Sequence, residues 1–322
     1  MSFFALLFAL LLEQARPLPE TNPVHASAVQ WARRAGHAVD VGTTRHGWIA
    51  WGLAVVLPAL LAAGVHGVLA QLLGWPLTVI WSVAILYVTL GFRQFSHHFT
   101  GIRDALADGD AQRARELLAR WKQLDTGEVP QTELVRHVIE HSVLDAHRHV
   151  FGVLLWFSVF AALGFGPAGA VLYRMAEFVP RGWRHLEGSP MPTSDALREV
   201  AQRAWHLIDW LPARCTAIGF AVVGNFEEAI DCWRNHAQRF PDDNDGVILA
   251  ATSGAINVRL GGEMLRPIHA ADAADGEPAA VESTPGREPE VAHLRSVVGL
   301  VWRTVVLWMV LIALLSLARL LG

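Results

Sequence analysis

Two long apolar runs joined by a short turn constrain the fold of this chain more than any other feature. They extend from Trp48 to Leu73 and from Leu77 to Phe92, and Gly74-Trp75-Pro76 separates them. Each run approaches the ~20 apolar residues that a helix needs to cross a bilayer, and tryptophans at the ends are typical of the membrane–water interface. The pair therefore predicts a transmembrane hairpin.

The composition supports an integral membrane protein. Of the 322 residues, 52% are hydrophobic and 17% are charged, against about 25% charged residues in an ordinary soluble domain. We therefore expect the lipid bilayer to be a partner. The net charge of −4 lacks the basic excess of nucleic-acid-binding proteins, so no nucleic acid is expected. The single lysine, Lys122, does not follow a glycine, which excludes a GxxxxGK[ST] phosphate loop.

The remaining apolar segments complete the prediction of an all-α, polytopic membrane protein. Met1 to Leu12 is too short to span a membrane alone, whereas Val297 to Leu321 predicts a C-terminal transmembrane helix. Val150 to Tyr173 is interrupted by glycines and Pro167 and has arginines after it. This pattern favours a broken or re-entrant hairpin over a clean crossing.

Composition and charge also predict the domains and the topology. We expect a membrane-embedded domain over residues 1–266, a disordered Ala/Pro-rich acidic linker over 267–292 and the C-terminal helix over 293–322. The basic residues of segments 16–45 and 93–148 place both on the cytoplasmic side by the positive-inside rule. The second segment is predicted as a cytoplasmic helical region that extends to residue 150.

Several polar clusters allow more than one interpretation. His137, His141 and Asp145 share a helical face and have spacing compatible with a metal, but a polar cytoplasmic face is favoured over a metal site because no HExxH signature accompanies them. For the acidic run Asp242 to Gly246, a solvated turn is favoured over an Mg²⁺ site. Val258 to Gly262 is interpreted as the end of a small-residue helix with a glycine C-cap.

Two helix starts are predicted from turns. Helices are predicted to begin after the Gly-Asp turn at Gly109 and the Gly-Asn turn at Gly224.

Asp209 and Arg214 lie in an apolar stretch, where ionisable groups are costly. They form a structural salt bridge or bind a ligand, and both possibilities stay open.

A series of short blocks lies between about residues 90 and 265. They are Ala105–Arg115 (ALADGDAQRAR), Asp125-Thr126, Glu133, Arg136, Glu140, Trp156, Ala170–Arg174 (AVLYR), Asp209–Arg214 (DWLPAR), Asn244, Gly246 and Val258–Gly262 (VRLGG). Their order resembles the CobD/CbiB cobalamin-biosynthesis family, and DWLPAR followed by Asn-x-Gly and VRLGG is the most specific part. The resemblance implies a multi-pass protein of the bacterial inner membrane that attaches an aminopropanol side chain to a corrinoid carboxylate by ATP-linked amide synthesis.

The resemblance also implies the site residues. Its catalytic candidates are Asp125, Glu140 and Asp209, and its ligand-binding candidates are His98, Arg214, Asn244, Gly246 and Arg259. The two arginines would bind anionic groups of a corrinoid or another small molecule, and the acids would orient those groups or a metal. ATP and Mg²⁺ are expected only if the chain is an active ligase.

Departures from the family pattern suggest an alternative function. The acidic run ESxxENTxDG aligns with Glu140 to His149, where Leu144 and Arg148 replace polar or acidic positions, and NTLD aligns with Glu177 to Pro180 and is lost. The opening MSFFALLFALLLEQ, the DWLPAR block and the C-terminal helix resemble AmpE, an inner-membrane protein associated with β-lactamase regulation. The alternative is therefore a non-catalytic membrane sensor that kept the fold and lost the acidic motifs.

Overall fold

The computed structural model describes residues 2–16, 22–123, 126–127, 129–184, 193–262 and 282–321. Within these ranges the chain is helical and has no β-strand beyond one isolated bridge, which confirms the all-α prediction. The helices are α1 (Ser2–Ala15), α2 (Pro23–Val39), α3 (Thr44–Leu72), α4 (Trp75–Thr89), α5 (Phe92–Ala107), α6 (Ala111–Lys122), α7 (Gln131–Ala162), α8 (Ala168–Arg184), α9 (Asp195–Val223), α10 (Phe226–His236), α11 (Asp243–Ile256) and α12 (Val291–Leu321).

Three of the described helices are long and apolar enough to cross a membrane, namely α3, α7 and α12, and α1 and α4 are shorter apolar helices. Helices α3 and α4 form the predicted hairpin. Gly74 turns the chain between them with a φ of +79°, and the Trp81 Nε1–H donates to the carbonyl of Ala62 at 3.3 Å. Their many exposed leucine and valine side chains are consistent with a lipid-facing surface.

The chain divides into two compact units. The first unit comprises Met1–Phe92, Arg148–Pro212 and Met309–Gly322. Its core includes small residues of α2 and α3, such as Ala32 and Ala54, packed with Trp183 of α8. The Trp183 Nε1–H donates to the Ala32 carbonyl at 2.9 Å. Small side chains at these positions allow the helices to approach closely.

Within the first unit, the apolar stretch from Val150 to Tyr173 contains a tight turn. Helix α7 ends at Ala162 and α8 begins at Ala168, with Gly164 and Gly166 at positive φ between them. A Cβ at Gly169 would lie 2.0 Å from the backbone oxygen of Trp156. The backbones of α7 and α8 are therefore in close contact. The turn between them agrees with the prediction that glycines and Pro167 interrupt this apolar stretch.

Asp40, also in the first unit, accepts hydrogen bonds from the start of α9. Its carboxylate accepts from Ser194 N at 2.8 Å and Ser194 Oγ at 2.6 Å, and from Gly42 N at 3.1 Å. Partial burial acts to raise the pKa of Asp40, but the hydrogen bonds from Ser194 and Gly42 outweigh it and hold the pKa below its ordinary value.

This low pKa predicts a pH-dependent stability. A carboxylate whose pKa is depressed by folding stabilises the protein above its unfolded value, and this contribution is lost as the pH falls through the folded value. As the pH is lowered from neutral to below 3.8, we expect the melting temperature of the wild-type protein in detergent to fall more steeply than that of Asp40→Asn. If the melting temperatures of the two proteins fall equally as the pH is lowered, the low pKa of Asp40 is contradicted.

The second unit comprises Arg93–His147 and Ala213–Trp308. Helices α10 and α11 cross closely in it, since a Cβ at Gly254 would lie 2.2 Å from the backbone oxygen of Glu228. Asp110 caps α6 by accepting from Arg113 N, and Asn225 caps α10 by accepting from Glu228 N. Both predicted helix starts are therefore confirmed.

The structure differs from the sequence prediction at residue 150. Helix α7 runs without a break from Gln131 to Ala162 and contains a π-helical turn at His147–Phe151. His147 is fully buried, and its Nδ1 lies 2.9 Å from Thr216 Oγ1. The expected end of the helical region at residue 150 was wrong, because α7 continues from the polar segment into the apolar stretch without a break.

The predicted linker also differs in its last part. Residues 267–281 lie outside the described residues, but residues 282–290 are described and include the bridge between Val258 and Arg287. Arg259 N donates to the Arg287 carbonyl at 2.7 Å. Composition did not reveal this order because backbone groups make the contacts. The division into residues 1–266 and 293–322 stays a prediction.

Candidate functional site

A cavity in the second unit is lined by Glu140 and by the polar side chains of Arg136, His141, Asp242 and Asp245. Its volume is about 180 Å³. Helix α7 forms one wall, the start of α11 forms a second, and Gly261 and Gly262 form a third. The lining residues are Arg136, Glu140, His141, Leu144, Phe240, Pro241, Asp242, Asp245, Leu249, Gly261 and Gly262.

Glu140, one of the predicted catalytic residues, is held in the cavity wall from two sides. Arg136 Nη1 donates to its Oε1 and Oε2 at 3.0 and 3.2 Å, and Gly261 N donates to Oε1 at 2.7 Å. The Arg136 guanidinium is 3% exposed and also donates from Nε to Glu133 Oε2 at 2.8 Å. A buried guanidinium between two carboxylates fixes the Glu140 carboxylate in one orientation.

The glycine pair lies after the end of α11. Helix α11 ends at Ile256 and its C-cap is Asn257 in the left-handed conformation, with φ of 52°. The expected glycine C-cap was therefore wrong, because asparagine also tolerates this conformation. Gly261 and Gly262 instead have φ of +81° and +119° and turn the chain toward Arg136 and Glu140.

A row of four aromatic rings in contact extends from α5 to the cavity. His98 stacks on Trp121 with centroids 5.8 Å apart, Trp121 meets His141 edge-on at 6.3 Å, and His141 stacks with His137 at 6.4 Å. His98, predicted to bind a ligand, therefore lies at the far end of this row, and His141 lines the cavity.

The polar face of His137, His141 and Asp145 is largely covered by other side chains. His137 and Asp145 are buried, and Asp145 Oδ2 accepts from Lys122 Nζ at 2.7 Å. The ring of Trp121 meets His141 edge-on and lies under Lys122 Nζ.

Arg214 and Asn244, both predicted to bind a ligand, contact each other. Arg214 Nη1 donates to Asn244 Oδ1 at 2.9 Å, and Asn244 is buried in the first turn of α11. Asp242 caps this helix by accepting from Asn244 N and Asp245 N, so the acidic run opens a helix and lines a cavity in place of the expected solvated turn. A Cβ at Gly246 would lie 2.3 Å from the Ala237 carbonyl oxygen, which explains the need for glycine there.

Asp209 belongs to the first unit. It is fully buried, and its Oδ1 accepts a hydrogen bond from Tyr173 Oη at 2.7 Å. Tyr173 is equally buried, and a Cβ at Gly152 would lie 2.0 Å from its Cζ. The three residues form a close-packed group, and the structure does not assign Asp209 to the Glu140 cavity.

The other predicted residues have different outcomes. Asp125 lies outside the described residues. The Arg259 side chain is exposed and does not line the Glu140 cavity, although its backbone pairs with Arg287. Sequence reasoning did not select Arg136, His141 or Gly261 as site residues. The spacing of Arg136 three and four residues from Glu133 and Glu140 was a usable signal, because such pairs meet on a helix.

The described cavity does not fit a magnesium–nucleotide complex. Its volume of about 180 Å³ is below the roughly 300–1,000 Å³ of typical ligand pockets. Within the parts of the chain that the structure describes, no three His, Cys, Asp or Glu side chains are grouped so that they could hold a metal. The Glu140 cavity therefore suits a small ligand.

Comparison with known proteins places these residues in a family. The family model described as CobD/Cbib protein matches residues 3–301. The chain is similar to the cobalamin biosynthesis protein CobD of Stutzerimonas stutzeri, with 30% identity over 316 residues that cover 96% of each chain. It is also 34% identical to the protein of the same name from Chromobacterium violaceum over 58% of this chain and 57% of the relative.

A third protein of this name, from Mycobacterium tuberculosis, is 26% identical over 86% of this chain and 85% of the relative. No solved structure matches the chain. The family match covers most of the chain and includes Glu140, Asp209, Arg214 and the VRLGG segment. The chain therefore belongs to the CobD/CbiB family.

Proposed function

We propose that this protein acts in cobalamin biosynthesis and joins an aminopropanol side chain to a carboxylate of a corrinoid. Family membership and the names of the relatives support this role, and they disfavour the AmpE-like sensor. The observation that carries the finer proposal is the cavity at Glu140, in which Arg136 and Gly261 hold a carboxylate against a small open space.

The size and charge of the cavity favour the amine as its ligand. About 180 Å³ corresponds to roughly six water molecules, which suits an amino alcohol with a few non-hydrogen atoms and is too small for a corrin ring. Glu140, Asp242 and Asp245 contribute three carboxylates, whereas Arg136 is already paired with Glu133 and Glu140. The cavity therefore favours a cationic amine.

Amide formation needs a carboxyl carbon that carries a leaving group, which ATP would supply by phosphorylating the corrinoid carboxylate, and phosphate would leave as the C–N bond forms. The amine must also lose its proton before it attacks this carbon. A carboxylate in the cavity wall attracts the ammonium group, orients it and is able to accept that proton. We assign this role to Glu140. Arg214 and Arg259 are proposed to bind anionic groups of the corrinoid, because guanidinium groups form forked hydrogen bonds with carboxylates and phosphates.

The proposed location is the bacterial inner membrane, with several membrane crossings. The three long apolar helices support it. Segment 16–45 and the part of segment 93–148 that precedes α7 would face the cytoplasm, because both carry several arginines.

A reporter fusion tests this topology. A periplasm-dependent enzyme fused after Arg120, on α6, is expected to be inactive, whereas a cytoplasm-dependent reporter at the same place is expected to be active. Periplasmic activity from the fusion at Arg120 would contradict the topology.

Complementation tests the function itself. The full chain is expressed in a bacterial strain that lacks the corrinoid aminopropanol step, with the Stutzerimonas stutzeri relative as the positive control. We expect cobinamide to be formed. Absence of cobinamide from cells in which the protein accumulates in the membrane, while the control strain makes it, would overturn the proposal.

A further inference from the structure

Residues 282–287, here called the strap, pair with the VRLGG segment in the second unit. Thr284 N donates to the Leu260 carbonyl at 2.7 Å, and Arg287 N donates to the Asn257 carbonyl at 3.3 Å. Gly286 makes this approach possible, because a Cβ there would lie 2.7 Å from the carbonyl carbon of Val258. The strap thus lies directly against the segment that carries Gly261.

Thr284 is the centre of this contact. It is 1% exposed, and its Oγ1 accepts a hydrogen bond from Leu260 N at 2.9 Å. The same hydroxyl lies 2.7 Å from Ser253 Oγ, near the end of α11. Thr284 therefore forms hydrogen bonds with both the N–H and the carbonyl of Leu260 and links them to Ser253 of α11.

One peptide unit connects Thr284 to Glu140. The Leu260 carbonyl accepts from Thr284 N at 2.7 Å and from the Thr284 hydroxyl at 3.2 Å, and the amide of the next residue, Gly261, donates to Glu140 Oε1 at 2.7 Å. These groups belong to the same planar peptide, whose C=O and N–H point in opposite directions. When Thr284 fixes the carbonyl, it fixes the direction in which the Gly261 N–H points.

We propose that Thr284 is a positioning residue for Glu140 and that the strap keeps the Leu260–Gly261 peptide aimed at the cavity. The strap makes no contact with the amine in this scheme and acts through the peptide. Its consequence for catalysis rests on the proposed function, because the orientation of Glu140 affects turnover only if the cavity is the reaction site.

The primary experiment compares Thr284→Val, which removes the hydroxyl at nearly constant shape, with Thr284→Ser, which keeps it. Membranes containing the full chain are assayed with a corrinoid carboxylic acid, aminopropanol and Mg²⁺–ATP. For Thr284→Val we expect kcat to fall on the order of tenfold to a hundredfold, because small misplacements of a reacting group have effects of this size, and KM for the corrinoid to stay unchanged. Thr284→Ser should restore kcat. The matched control is Glu288→Gln, which changes an exposed residue directly after the strap and should behave as wild type.

A second measurement does not depend on activity. Hydrogen exchange of the detergent-purified full chain should be faster at the Gly261 amide in Thr284→Val, by roughly tenfold or more, and normal in Thr284→Ser, since the amide loses its fixed acceptor. If Thr284→Val does not accumulate, Ser253→Ala, which removes the other hydroxyl at 2.7 Å, should show a smaller acceleration at the same amide.

The outcomes separate the two proposals. If the wild-type protein forms no product, the proposed function fails, and the exchange experiment alone decides the role of the strap. Wild-type exchange at Gly261 in Thr284→Val would overturn the positioning role. An unchanged kcat in an active protein would overturn it as well, as would equal losses in Thr284→Val and Thr284→Ser.

Discussion

Glu140→Gln is expected to reduce cobinamide formation by at least about a hundredfold, because the variant loses the charge that attracts the amine and the group that accepts its proton. The protein should still accumulate in the membrane. Glutamine keeps a carbonyl oxygen for the Gly261 amide, and Arg136 keeps Glu133 as its charged partner. Initial rates of membrane fractions, normalised to the amount of protein, provide the measurement.

The matched control is Glu133→Gln. Glu133 and Glu140 bind the same guanidinium, but Glu133 is 40% exposed and does not line the cavity. A partly exposed ion pair contributes ~0–1 kcal/mol, so the rate should stay within about fivefold of wild type. Equal losses in both variants would mean that the ion pair with Arg136, and not the position of Glu140 in the cavity, is responsible.

Gly152→Ala is expected to destabilise the first unit strongly. The new Cβ would lie 2.0 Å from Tyr173 Cζ, and the fully buried Tyr173 ring has no free space into which to move. Overpacking of this kind costs ~1–3 kcal/mol, and occasionally more. Displacement of the ring would also break the hydrogen bond from Tyr173 to Asp209. Thermal unfolding in detergent measures the loss.

Two variants separate the causes of this loss. Gly182→Ala lies on the same helix as Tyr173, but a Cβ there meets nothing within 4 Å, so it should be neutral or stabilise the helix by ~0.5–1 kcal/mol. Tyr173→Phe removes only the hydroxyl and should cost ~1.5–3 kcal/mol, because Asp209 loses a hydrogen bond to a charged group. A wild-type melting temperature for Gly152→Ala would contradict the packing argument.

The sequence alone determined the features that depend on neighbouring residues. The lengths of the apolar runs predicted the α3–α4 hairpin, because bilayer thickness sets helix length. The turns before Asp110 and Asn225 predicted two helix starts, because a capping side chain bonds to an amide a few residues ahead. The family blocks selected Glu140, whose partner Arg136 lies one turn away on the same helix.

Only the tertiary structure decided what surrounds Glu140. The Gly261 amide is 121 positions away along the chain, and Thr284, whose N–H and hydroxyl bind the backbone of Leu260, lies 24 positions from Leu260. Backbone hydrogen bonds carry no signature of side-chain type, so composition suggested a disordered linker where the strap lies. Burial of His137 and Asp145 was equally hidden, since the polarity of a side chain is the same whether water or Lys122 satisfies it.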